Sequence, residues 1–295
     1  MRLRTERTGV EAAEAVVVTV LIIGVVLFLL MSLPRRREVA RGVGCRQNLM
    51  KLGIAVSLYD QTTEKLPGVD SDGGKPTGPS PIARMLDVLG QPDFADFESR
   101  DKAPPRHKEK LALLRIPGLI CPTDPRAASN TFDAPVSYRA TTGDTPDGRN
   151  GAFAPGWVGS LKDVEAGDGT GYTAGFSERL LGSGTDGSVS PENYALVPGP
   201  LTAAKPSVPA PKSWQGNAGS DWRGADWIST LYNHALVPGS PDSRVADGGK
   251  AALMGASSGH EEGGFVLFLD GSVKTVTRTV DPAVWRGQAT REDGR

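Results

Sequence analysis

The sequence predicts an α+β protein: a long N-terminal helix, first transmembrane and then amphipathic, followed by a domain with an antiparallel β-sheet and long loops. Three observations predict it. Residues 15–33 carry no charge, an apolar stripe at helical spacing starts at Cys45, and two β-rich runs near the C-terminus flank Asp270-Gly271.

The first helix rests on the uncharged run. Its nineteen residues rise to about 28 Å at helical pitch, near the thickness of a bilayer's hydrocarbon core. A signal peptide has a shorter apolar region and a small-residue cleavage site. Here the run ends in "MSLPRRRE", so it reads as retained. Arg2, Arg4 and Arg7 precede it and Arg35, Arg36 and Arg37 follow it, so loop charge does not choose an orientation. Glu14 stands alone at the edge of the run, where a carboxylate is costly in lipid and calls for a partner.

The stripe comes next. Cys45, Leu49, Leu52, Val56 and Tyr59 fall at steps of four and three, with Arg46, Gln47 and Lys51 off that line, the pattern of a helix packed on a core. Pro34, Gly42 and Gly44 should loosen the join to the first helix. "KLPG" at residues 65–68 should stop it. Dense turn residues follow, with a short helix expected over residues 82–89. Residues 113–125, "LLRIPGLICPTDP", should form a buried strand ending in a cysteine turn. Residues 183–224 are rich in Pro, Gly and Ser and lack periodicity, as long loops do. The runs 265–269 and 273–280 should form a hairpin, since Asp-Gly suits the positive φ of a tight turn.

Composition narrows the function. A formal net charge of -1 over 295 residues offers no basic footprint for nucleic acid. Gly (37) and Pro (23) suit a loop-rich sheet domain more than a deep multi-layer enzyme. The two cysteines, Cys45 and Cys121, are too few for a common four-ligand zinc site. They would pair as a disulfide outside the cytoplasm and stay free thiols otherwise.

Candidate chemistry is sparse, and no catalytic residue, cofactor or metal site is expected. "GASSG" at residues 255–259, beside His260, has the letters of a nucleophile elbow without its strand-to-helix context. "GSGTDG" at residues 182–187 lacks the helix that a dinucleotide fingerprint needs. Of the three histidines His107, His234 and His260, the last two could join Asp270 around a metal, but the spacing does not demand it. His260 is expected instead to hydrogen-bond at the base of the hairpin. "GDGTGY" at residue 167 and "TPDGRNG" at residue 145 offer oxygens of the kind calcium takes, though ordinary turns explain them. Trp214, Trp222 and Trp227 could stack on a sugar or simply anchor the long loop.

Two stretches carry a resemblance. The start, with Gly9, Val10, a following apolar helix and Glu14, resembles a type IV prepilin leader. Val10 and Glu11-Ala12 stand where that family has an aromatic residue and a Thr-Leu pair. The resemblance implies cleavage between Gly9 and Val10, methylation of the new terminus, and pairing of Glu14 with the amine of a neighbouring subunit.

The remainder resembles a planctomycete-type exported family of unknown function with a prepilin-like N-terminal segment. Its likeness rests on His260, nine residues, then Asp270-Gly271; on "CRQNLMKLGIAVSLYDQTTEKLPG" from Cys45; and on "CPTDP" at Cys121. "SYRATTGDTPDGRNGAF", "DVEAGDGTGYTAGFSERLLG" and "YNHALVPG" add to it. It implies a leader at 1–9, a transmembrane helix at 10–33, an amphipathic continuation at 34–62 and an exported pilin-like domain at 63–295. The function implied is that of a non-enzymatic pseudopilin-like envelope protein with a structural or assembly role, similar to those of type II secretion. It would be a single-pass inner-membrane protein with its C-terminal domain in the periplasm or at the cell surface. Its partners would be the membrane, a prepilin peptidase and other pilin-like subunits, and not nucleic acid. The alternative is an anchored extracytoplasmic binding module whose tryptophans capture a glycan or other ligand.

Overall fold

The computed structural model describes residues 3–90, 115–187, 189–199, 201, 213–246 and 248–292, excluding the side chains of residues 3–13 and 30–37. The chain divides into two compact units, Met1–Val43 and Gly44–Arg295.

Helix α1 runs Leu3–Thr63, through Gly42 and Gly44 without interruption. Within the second unit its stripe is buried as the spacing requires: Cys45, Leu49, Leu52, Ala55 and Val56 enter the core, with Tyr59 half-buried against it. Arg46, Gln47 and Lys51 are exposed. Gly53 lets the helix approach the sheet closely, since a Cβ there would lie 2.9 Å from Leu267 Cδ1 and 3.5 Å from Gly271 Cα.

Eleven short strands among the described residues form three sheets. Strands β1 (Asp70–Asp72) and β2 (Lys75–Thr77) make an antiparallel pair. The five-stranded sheet is ordered β11-β10-β4-β3-β7. Its strands are β3 (Tyr138–Thr141), β4 (Ala174–Glu178), β7 (Leu231–Tyr232), β10 (Gly264–Phe268) and β11 (Val273–Val276). The four-stranded sheet is ordered β6-β5-β8-β9, from β5 (Tyr194–Val197), β6 (Trp214–Gln215), β8 (Arg244–Ala246) and β9 (Ala252–Leu253). Small helices sit between them: α2 (Pro81–Arg84), α3 (Leu161–Ala166) and α4 (Pro282–Gly287). The core is filled by Tyr138, Phe153, Phe176, Trp222, Trp227, Phe268 and Trp285, all almost fully buried.

Several expectations need correction. Among the described residues no helix is long and apolar enough to cross a membrane. This overturns the transmembrane helix at 10–33 and, with it, the single-pass inner-membrane placement. The pilin-like domain on an antiparallel sheet is also corrected, because both larger sheets are mixed. Strand β3 pairs β7 in parallel and β5 pairs β8 in parallel, each after a long crossover that returns the chain in the same direction. Residues 115–125 form no strand. Pro117–Leu119 is a 3-10 turn instead, because Pro117 starts a turn and Ile116 is extended before it. The helix expected over 82–89 is shortened to α2, beyond which the chain turns to Gly90.

The C-terminal hairpin forms, with Leu267 opposite Val273. Gly271 takes the positive φ of +85°, and Asp270 Oδ1 accepts from Ser272 N at 2.8 Å.

Candidate functional site

Four buried side chains from four separate parts of the second unit meet at one point. Cys45 Sγ, Cys121 Sγ and a ligand-type atom of both Glu178 and His260 all lie within 4.8 Å of one another. Each arrives for a local reason. Cys45 is the first residue of the buried stripe of α1. Cys121 follows the 3-10 turn and opens a tight turn in which Asp124 N donates to Cys121 O at 3.0 Å. Glu178 ends β4, and His260 lies in the loop leading to β10.

The two cysteines form a disulfide with a Cα–Cα distance of 5.1 Å, within the usual range for such bridges. The bridge ties α1 to the turn at Cys121 across a sequence separation of 76. Beside it, Cys121 Sγ lies 3.2 Å from Glu178 Oε1 and 3.8 Å from His260 Nε2. His260 Nε2 and Glu178 Oε1 are 3.5 Å apart.

The second carboxylate oxygen faces away and is held. Glu178 Oε2 accepts from Ser258 Oγ at 2.8 Å and from Phe265 N at 3.0 Å. Ser258 Oγ also accepts from His260 N at 3.2 Å, so one hydroxyl orients both groups. His260 meets the Phe265 ring edge-on, with centroids 4.8 Å apart. Gly259 is required next to it, because a Cβ there would come within 2.5 Å of Thr123 O. The loop bearing His260 therefore lies directly on the cysteine turn.

Asp124 completes the surroundings. Its carboxylate accepts from Leu181 N at 2.8 Å, Arg126 N at 2.9 Å and Ser137 Oγ at 3.2 Å. Burial pushes its pKa up against those bonds, and the neighbouring Glu178 charge adds to the rise. Tyr138 Oη accepts from Asn48 Nδ2 at 3.2 Å, which pins α1 to β3. Burial raises the phenol's pKa above its ordinary value, so it stays neutral.

The other sequence candidates fall elsewhere. His234 is stacked on Trp285 at 3.5 Å with ring planes 3° apart. Its Nε2 is 3.0 Å from Tyr232 Oη and its Nδ1 2.6 Å from Trp285 O. Burial drives its pKa down to about 3, so the imidazole is neutral and committed to the core. Asp270 is in the exposed hairpin turn, apart from the metal-type cluster that contains His260. His107 lies outside the described residues. Ser257 Oγ donates to Pro191 O and accepts from Leu180 N, both at 3.1 Å, which accounts for the central serine of "GASSG".

The two acidic glycine loops are closed by the protein's own donors. Asp168 Oδ2 accepts from Thr290 Oγ1 at 2.7 Å, and Asp147 Oδ1 from Thr145 Oγ1 at 2.7 Å. Trp214, Trp222 and Trp227 are 7%, 0% and 2% exposed, so their bulk serves the core. Trp227 does border a groove of about 540 Å³ between β2, β5 and β8, with Leu196, Asp226 and Val245 among its walls. Gly9 and Val10, the expected processing pair, lie in the part of α1 whose side chains are outside the described residues. Glu14 is exposed on α1.

Sequence reasoning missed Glu178, Asp124 and the two fully buried arginines Arg139 and Arg179. Arg179 donates to Gly255 O at 2.6 Å and Asn193 O at 3.2 Å, and burial lowers its pKa to about 10. The available signal was charge inside apolar strands, as in "AGFSE" and "YRAT", where a charged residue needs a buried partner.

A family model described as a protein of unknown function, DUF1559, matches residues 35–283. The chain belongs to that family. The match begins after the apolar run, so it covers the bridged cluster and leaves residues 1–34 outside. No curated protein matches, and no solved structure matches.

Proposed function

We propose that the protein is a non-enzymatic assembly subunit that associates with copies of itself, or with similar subunits, through α1. The observation that carries the reading is exposed apolar surface on the described part of that helix. Within the first unit, Val16 through Leu29 supply twelve exposed large apolar side chains, with Phe28 at 69%. Within the second, Met50, Ile54 and Leu58 recur every four residues and are also exposed. Apolar stripes of this extent mark contact surfaces with other proteins, and repeats at helical spacing suit helix–helix packing.

Glu14 stands exposed at the edge of the apolar run, where its carboxylate would pair with a cation of a neighbouring helix. Under the prepilin-like reading that cation is the α-amine of Val10, freed by a peptidase that cuts after Gly9. The disulfide and its polar surround then serve to hold α1 on the rest of the second unit while the helix carries assembly load.

The test uses the full-length protein with a photocrosslinking amino acid at position 22. Irradiation is expected to give a ladder of crosslinked copies that Glu14→Ala reduces at least severalfold while far-ultraviolet dichroism stays unchanged. Nonspecific clumping of apolar helices would persist in Glu14→Ala. A ladder indifferent to that substitution, or none at all, would overturn the proposal.

The groove beside Trp227 favours a second reading, a binding module for a glycan or similar ligand. A change in tryptophan fluorescence on adding oligosaccharide, without any crosslinked ladder, would favour it.

A further inference from the structure

We propose that the Cys45–Cys121 pair is a two-state site: bridged under oxidising conditions and, once reduced, a holder of one Zn²⁺ together with Glu178 and His260. The ligand set is two thiolates, one imidazole and one carboxylate, each of a type that zinc takes. Tetrahedral zinc, with bonds of about 2.0–2.3 Å, sets its ligand atoms roughly 3.3–3.8 Å apart. Three of its separations are close to that spacing, at 3.2 Å for Cys121 Sγ to Glu178 Oε1, 3.5 Å for Glu178 Oε1 to His260 Nε2 and 3.8 Å for Cys121 Sγ to His260 Nε2, and Cys45 Sγ lies within 4.8 Å of the other ligand atoms. Only the two sulfurs must move, from bonding distance to about 3.8 Å, which side-chain rotation supplies.

The outer arrangement also fits. A carboxylate that binds a metal through one oxygen is oriented by hydrogen bonds to the other. Glu178 has this form, with Oε1 facing the sulfurs and Oε2 held by Ser258 Oγ and Phe265 N. All four ligands are buried, at 0% for Cys45, 3% for Cys121, 2% for Glu178 and 6% for His260. Four soft and hard donors gathered in an enclosed place are more than a disulfide needs, since the bridge itself uses only two.

The chemistry balances as follows. A dithiol reduces the bridge, leaving as its own disulfide and delivering two hydrogens to the sulfurs. Zinc then displaces both thiol protons, which pass to solvent, while Glu178 binds as carboxylate and His260 as neutral imidazole. A small-molecule disulfide takes the thiolates back to the bridge by exchange, itself leaving as two thiols with two protons from solvent, which removes two ligands and expels the ion. In either state α1 stays fastened to the turn at Cys121, by a covalent bond or by the metal.

The test is metal binding by the full chain. A phosphine with water reduces the bridge to two thiols and phosphine oxide, and Zn²⁺ is titrated against a chromophoric chelator while dichroism reports folding. One zinc per reduced chain is expected, none per oxidised chain, and release on reoxidation. Cobalt in place of zinc should give strong visible bands of a tetrahedral site and a thiolate charge-transfer band in the near ultraviolet. The pair Cys45→Ser with Cys121→Ser should abolish that signal. Glu178→Gln and His260→Ala should each weaken binding about tenfold or more.

A reduced chain that unfolds alone but refolds with zinc also supports the proposal. A reduced chain that stays folded without binding zinc would overturn it, as would one that zinc cannot refold. Zinc binding unaltered by both Glu178→Gln and His260→Ala would equally sink it.

Discussion

At the scale of single residues, burial decides what each polar group does, and His234 is the sharpest case. It is fully buried, stacked on Trp285 and bonded through both ring nitrogens. Its pKa falls from 6.5 to about 3 in the folded state. Below about pH 6.5 the unfolded chain therefore binds a proton that the folded chain does not, and stability drops as pH falls toward 3. The full effect is on the order of 5 kcal/mol. Urea unfolding at pH 7 and pH 4 should show His234→Phe losing much of this pH dependence, although its stability at pH 7 is already lower because Tyr232 and Trp285 O lose their partner. An unchanged pH dependence would mean that other groups set it. Asp124 works in the opposite sense, since its raised pKa adds stability as the solution becomes acid. The letters of the sequence marked His234 and His260 alike as histidines able to join Asp270 around a metal. Only their neighbours separate a core imidazole from one beside a carboxylate and two sulfurs.

At the scale of elements, α1 shows how a pattern becomes packing. The stripe from Cys45 fixes which face is buried, and Gly53 fixes how closely that face meets the hairpin of β10 and β11. Gly53→Leu should cost about 1–3 kcal/mol by overpacking against Leu267. Gly44→Ala, whose Cβ would meet only Pro122 at an ordinary 3.5 Å, should be neutral or add up to about 1 kcal/mol through helix propensity. Chemical denaturation of the two variants side by side checks both, and equal effects would contradict the packing argument. The hairpin was legible because Asp-Gly between β-rich runs is a local signal. The strand expected at residues 113–125 was not, because an apolar run interrupted by Pro117 and Gly118 reads equally well as a 3-10 turn. Pairing of β3 with β7 in parallel joins residues some ninety positions apart, and no local pattern announces such a partner.

At the scale of the whole molecule, the disulfide is the longest-range covalent tie. Closing a loop of this length should stabilise the fold by about 2–5 kcal/mol through the entropy it removes from the unfolded chain. Replacing both cysteines by alanine should lower the thermal midpoint accordingly, read by calorimetry in metal-free buffer. A midpoint unchanged within error would mean that packing alone fixes α1 on the second unit. The same count explains why chemistry was hard to see in advance. Two cysteines were too few for a zinc site by themselves, and Glu178 and His260 stand far from them along the chain.

The sequence by itself determined the helical register of α1, the buried stripe and the C-terminal hairpin, because each is written in residues close together. It also suggested a membrane span, which the described residues do not supply. The tertiary structure decided the mixed sheets, the burial of the three tryptophans, the pairing of Cys45 with Cys121, and the approach of Glu178 and His260 to that pair. Those outcomes depend on contacts between distant segments, where packing and desolvation act on whichever groups the fold brings together.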